Sequence, residues 1–290
     1  MLTPTPGERL TDRPAVVLLF FFMIMLASEA GKALLQVAGN ALLPAKHTYA
    51  HILLVFVYST VATIILVLLY CLLVERRTLT SLGLSWRGAA GEYAVGLIGG
   101  VLLFGCAVLL CVGTGVMTVT PAAREVAWGL WFLFLGGFLL QGMAEELLCR
   151  SFLMVSLTRG WPLWAAAVGN ALLFSLLHTA NPGVGVIALI NIFLFGLFAS
   201  MLTLRRGSIW MVGALHSAWN FVQGNLFGIP VSGIRGLPSP LSSTMRDGVW
   251  PRLVGGGAFG LEGGLAVTVV LALACLAVLF SRTKASARAE

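Results

Sequence analysis

The chain has 290 residues, of which 59% are hydrophobic and only 10% charged, and its mean hydropathy is +0.97. A soluble domain has no use for so much apolar surface, whereas a bundle of lipid-exposed helices requires it. The formal net charge of +7 is scattered through short loops, which speaks against nucleic-acid binding and for orientation in a membrane.

Residues 1–13 are polar and Pro-containing, the composition of a mobile end. An apolar run follows Arg9 and Arg13, and Ser28-Glu29-Ala30 loosely resembles a signal-peptidase site. The hydrophobic pattern continues to Leu43, so an uncleaved first helix over Pro14–Ala38 is expected, with Glu29 and Lys32 paired one turn apart inside the bundle. Pro44 to His47 reads as a turn, and a second span covers about His51–Val74. His47 and His51 sit near loop ends and read as interface residues. The loop Glu75–Gly91 mixes Arg76, Arg77 and Arg87 with Leu79, Leu82, Leu84 and Trp86, which suits the membrane interface.

A third span is expected at Tyr93–Met117, a turn at Thr118–Glu125, and a long fourth span at 126–157. Further spans follow at Leu163–His178, Val184–Leu204 and Ser208–Phe227. A Gly/Pro/Ser-rich loop over 228–257 precedes the last one, at Leu261–Phe280. The fold class is therefore an all-α, multi-pass membrane bundle of about eight helices, one domain over 1–290, without an internal repeat. Counting Lys and Arg on alternate sides gives eleven against five and places both termini in the cytoplasm. Cys71, Cys106, Cys111, Cys149 and Cys275 are odd in number and lack metal-type spacing, so they read as core residues.

The charged residues inside the fourth span stand out. Gln141 to Ser151 reads QGMAEELLCRS, and three ionisable groups at that depth are expensive enough to be functional candidates. Glu146 and Arg150 are four apart and can pair, which suits a bracing role. Glu145 points about 100° away and is left facing the site without a built-in partner. A carboxylate in such low-dielectric surroundings is a good proton acceptor, as a general base must be. His178 lies on the next helix. Counted from the turn near Gly160, it and Glu145 are both roughly 23–27 Å away, at similar depth. Phe174 precedes His178 by one turn. His216 and Asn220 share a face of the seventh span and offer two donors for an oxyanion.

Taken in order, Glu145-Glu146-xxx-Arg150, Phe174-xxx-His178 and His216-xxx-Asn220 resemble the CAAX-protease and bacteriocin-processing intramembrane proteases, relatives of the type II CAAX prenyl endopeptidase. The motif core is 126–228. The resemblance implies a peptidase in which Glu145 activates water, His178 helps to hold it, and His216 and Asn220 stabilise the oxyanion. Glu146 and Arg150 would brace the site. No cofactor is expected, since this chemistry needs none; Zn²⁺ on Glu145, His178 and His216 is the alternative, without an HExxH to support it. Cys149 has no histidine at helical spacing and is not expected to be a nucleophile.

The expected partners are a peptide or protein substrate, of which a lipidated or membrane-embedded segment is one class, and membrane lipid; nucleic acid is not expected. Arg235, Arg246 and Arg252 read as solvated loop charges. Two other functions stay open at this level. One is a non-catalytic immunity or scaffold protein of the same fold, and the other is a proton-coupled transporter using Glu145 and Glu146.

Overall fold

The protein is described here by a computed structural model covering residues 10–42 and 48–281. The turn expected at Pro44–His47, residues 1–9, and the charges of Arg9, Lys46, Arg282, Lys284 and Arg288 lie outside the described residues, as does the side chain of His51.

All eight expected segments are helical. They are α1 (Pro14–Leu42), α2 (Thr48–Leu69, continued by a widened turn over Tyr70–Val74), α3 (Ala89–Gly113), α4 (Trp128–Glu146), α5 (Leu163–Leu177), α6 (Val186–Arg206) and α7 (Trp210–Phe221). A short helix α8 (Val249–Gly255) then precedes the last apolar helix, α9 (Leu265–Phe280). Among the described residues, four stretches are long and apolar enough to cross a bilayer, namely Pro14–Leu34, Ala89–Gly113, Trp128–Leu157 and Val186–Arg206. Ser59–Val74, Leu163–Leu177 and Leu265–Phe280 are shorter apolar helices.

Helix α3 shows why the sequence builds a membrane bundle. Val95, Ile98, Leu102 and Leu109 are exposed on one face, at helical spacing, while Gly96, Gly100, Phe104, Val108 and Cys111 are buried on the other. A water-facing helix would carry charge where α3 carries Leu and Ile, so the outward face is one that lipid solvates. The inward face lies against α7, and the glycines permit the close approach. A Cβ at Gly100 would come within 2.8 Å of Ala218 Cβ and closer still to the Leu215 carbonyl oxygen. Helix α7 is thus wedged between α3 and α4, and every residue from Val212 to Phe221 is buried.

Three features depart from the sequence reading. Met117–Pro121 (β1) and Leu241–Met245 (β2) form an antiparallel pair, Met117 opposite Met245, where a turn and an irregular loop were expected. Thr and Val alternate in β1, and a ribbon of two such strands satisfies backbone groups that neither loop could satisfy alone. Glu29 and Lys32 do pair, at 3.2 Å, but their side chains are 57% and 41% exposed, so the pair is not inside the bundle. Cys106 is exposed on the outer face of α3 and not in the core, whereas Cys71, Cys111 and Cys149 are buried and Cys275 is half-buried.

A buried ionic cluster ties the bundle together at one end. Glu75, with a fully buried side chain, meets Arg159 at 3.1 Å and Arg77 at 3.4 Å, and accepts from Ser156 Oγ at 2.8 Å. Arg159 reaches on to Asp12 at 3.0 Å, and Arg77 donates to the Ser151 carbonyl at 2.7 Å. Arg77, expected at the membrane interface, and Arg159 thereby join the segment before α1, the end of α2 and the stretch that follows α4.

Candidate active site

The site begins where α4 loses its regular α-helical winding. The last regular residue is Glu146, and the backbone runs on in widened, π-type turns from Leu147 to Met154, all of them buried, before one closing α turn at Val155–Leu157. Helix α7 widens in the same way over Val222–Leu226, just past Asn220. Such turns concentrate at functional sites because they re-aim side chains that a regular helix would direct elsewhere.

Glu146 is completely buried and takes two donors on Oε1: Arg150 Nη1 at 3.0 Å and His216 Nδ1 at 2.9 Å. Arg150, also fully buried, spends Nη2 on the Gly196 carbonyl of α6 at 3.2 Å, and its guanidinium lies 4.6 Å above the Phe174 ring. One carboxylate and one guanidinium therefore lock α4, α5, α6 and α7 to each other. Because Glu146 accepts at Nδ1, the imidazole of His216 is held with Nε2 turned to the opposite side. That nitrogen lies 3.7 Å from Glu145 Oε2.

Glu145 is partly exposed, with 32% of its side chain accessible. It does have a partner on its own helix, contrary to the sequence reading. Gln141, one turn earlier, donates Nε2–H to Glu145 Oε1 and accepts Asn220 Nδ2–H at 2.9 Å on its own Oε1. The amide of Gln141 thus connects the carboxylate of α4 with Asn220 of α7. Its sequence signal was the i, i+4 spacing from Glu145.

His178 is the residue just past the end of α5. Its Nδ1 lies 2.8 Å from the Phe174 carbonyl, and its ring meets the Phe174 ring edge-on at 4.9 Å. A carbonyl only accepts, so Nδ1 carries a proton, and in the neutral ring Nε2 keeps a lone pair. Glu145, His178, His216 and Asn220 all line one cavity of about 280 Å³, together with Gln141, two further carboxylates, Glu262 and Glu29, and the Lys32 that pairs with Glu29.

Sequence reasoning missed Glu262. It sits in the turn Leu261–Gly263, ahead of α9. Ser232 donates to its Oε2 through both N–H (2.7 Å) and Oγ–H (3.1 Å), and Gln223 Nε2 does so at 3.1 Å. Burial pushes its carboxyl above the usual carboxylate range, against the pull of these donors and of His178 nearby. The available signal was an acidic residue at the very edge of the last apolar run.

Among the described residues no three His, Cys, Asp or Glu side chains are grouped to hold an ion. His216 Nδ1 is engaged by Glu146, and Nε2 stands 3.7 Å from the nearer carboxylate. Cys149 is buried and also lines the cavity. Arg246 and Arg252 are exposed, and Arg235 donates to the Ala258 carbonyl at 2.9 Å.

No curated protein matches the chain. Residues 127–222, however, match the family model described as type II CAAX prenyl endopeptidase Rce1-like. The match encloses Glu145, Glu146, Arg150, Phe174, His178, His216 and Asn220, and leaves Glu262 outside. The segment that builds the cavity wall from α4 to α7 is therefore similar to the family that its motifs resemble, over about a third of the chain.

Proposed function

We propose that the protein is an intramembrane endopeptidase, set in the membrane with both termini in the cytoplasm, that hydrolyses a peptide bond of a CAAX-type or leader-type substrate with water activated by Glu145 and His178. The observation that supports this most is the convergence of Glu145, His178, His216 and Asn220, from three helices, on a single cavity. A water there can donate one hydrogen to the Glu145 carboxylate and the other to the lone pair on His178 Nε2, which raises the electron density on its oxygen. That oxygen adds to the scissile carbonyl carbon, and Glu145 takes the proton. The oxyanion that forms is met by the Asn220 amide and by His216, which donates from Nε2 when both ring nitrogens are protonated. Glu145 then returns the proton to the leaving amine as the C–N bond breaks. Glu146 and Arg150 hold the His216 ring so that these donors wait at fixed places, and Phe174 holds His178.

A cavity of about 280 Å³ accepts a short stretch of extended or lipidated chain and no folded partner. No step above uses a cofactor or Zn²⁺. The test compares peptide termini in membranes of cells carrying the wild-type protein, Glu145→Gln or His178→Ala. Termini present with the wild type and missing with both variants, at equal protein levels and equal thermal stability in detergent, are expected. Undiminished cleavage by either variant overturns the assignment, and cellular protection that survives Glu145→Gln would favour the immunity or scaffold role.

A further inference from the structure

Glu262 lacks what every other inward-facing carboxylate has. Among the described residues, Glu75 is paired with Arg77 and Arg159, Glu92 with Arg206, Glu146 with Arg150, and Glu145 faces His216. No basic side chain among the described residues lies within 4.0 Å of Glu262. Glu262 is half-buried, and a carboxylate drawn partly out of water without a counter-ion is costly, so proteins retain it where a ligand supplies the missing partner.

The surroundings hold this carboxylate firmly. Ser232, which gives it two of its three hydrogen bonds, has φ +46°, a left-handed conformation that is strained for a residue with a side chain. The turn carrying Ser232 is closed by Val231 N–H donating to the Ile234 carbonyl at 2.9 Å. Two glycines permit its docking. Gly233 (φ +89°) presses on the Pro182 carbonyl, and a Cβ at Gly260 (φ +106°) would stand 2.9 Å from Gln223 Nε2. All three donors converge on Oε2. The other oxygen, Oε1, receives no donor from the described residues, and Glu262 lines the cavity that holds Glu145 and His178.

We infer that Glu262 is a binding residue for a cationic side chain of the substrate, the ammonium of a lysine or the guanidinium of an arginine close to the scissile bond. The inference rests on the peptidase reading for the nature of the ligand, while the binding site itself does not depend on turnover. Oε1 accepts an N–H from the cation, and Ser232 and Gln223 keep the carboxylate aimed while this happens. The cation supplies the counter-ion that the fold withholds.

The experiment uses the full-length protein in detergent with Glu145→Gln, so that bound peptide is not consumed. Two N-acetylated, C-amidated hexapeptides of otherwise apolar sequence are titrated, one with a central lysine and one with norleucine, and binding is followed by quenching of Trp219, which lines the cavity. The lysine peptide is expected to bind about ten-fold more tightly. Adding Glu262→Gln should erase that preference at unchanged thermal stability, and Glu262→Asp should keep part of it. The inference is overturned if the lysine preference persists in Glu262→Gln, or if none exists beforehand, whether both peptides bind equally or neither binds. Cleavage is scored separately on the Glu145-intact protein, so failure of the peptidase reading is distinguishable from failure at Glu262.

Discussion

Replacing Gly100 by alanine puts the close packing of α3 on α7 to a direct test. The added Cβ would stand 2.8 Å from Ala218 Cβ and 3.1 Å from the Leu215 carbonyl carbon, against roughly 3.5–4.0 Å for a comfortable carbon contact. Neither neighbour is the loose end of a flexible side chain, so α7 has to move by about 1 Å. Leu215 adjoins His216, whose 2.9 Å bond to Glu146 and 3.7 Å approach to Glu145 do not survive such a shift. A misplacement of about 1 Å costs on the order of 10²-fold in rate, and overpacking costs about 1–3 kcal/mol in stability. The control is Gly105→Ala on the same helix, where the new Cβ meets nothing within 4 Å. Appearance of cleaved termini and thermal unfolding in detergent should separate the two variants, with Gly100→Ala slow and less stable and Gly105→Ala close to wild type. Equal activity in both would refute the claim that α3 sets the position of His216.

Two further substitutions probe hydrogen bonds at the cavity and in the ionic cluster around Glu75. Gln141→Leu removes both the donor to Glu145 and the acceptor for Asn220; a hydrogen bond to a charged group is worth about 1.5–3 kcal/mol, so kcat should fall roughly 10- to 100-fold with little change in Tm. Glu75→Ala takes the carboxylate from Arg77 and leaves Arg159 with Asp12 alone, and should cost about 3 kcal/mol, read as a drop in Tm, while the residual folded protein keeps its cleavage pattern.

The parts of the site that could be read from sequence were those with helical spacing. Glu146 and Arg150, Phe174 and His178, and His216 and Asn220 are each four residues apart, and helix geometry puts each pair on one face whatever the rest of the chain does. Gln141 obeys the same rule but carries no charge, so its place inside an apolar run drew no attention. Glu262 obeys no local rule. Its partners are Ser232 in a strained turn and Gln223 within the widened end of α7, and only the tertiary fold brings those segments together. The β1–β2 pair was hidden for the same reason, since its two strands are more than a hundred residues apart in sequence. Burial misled in the other direction at Cys106, where an apolar neighbourhood in sequence turned out to be an outward face of α3, and at Glu29–Lys32, an exposed pair at the edge of the cavity.

The position of α7 explains how a membrane bundle can hold so polar a site. The helix has only twelve residues, Trp210–Phe221, and carries His216, Ser217 and Asn220. Facing lipid, each of those groups would need a partner that hydrocarbon cannot offer. Surrounded by α3 and α4, it finds them within the protein: Glu146 for His216, the Gly213 carbonyl for Ser217 at 2.8 Å, and Gln141 for Asn220. Close approach on both sides depends on glycine, with Gly96 and Gly100 contributed by α3 and Gly142 by α4, the last lying against Ser217 N. Small residues at the contacts and polar residues at the centre are therefore one requirement: the first lets the backbones come near enough for short side chains to satisfy the second.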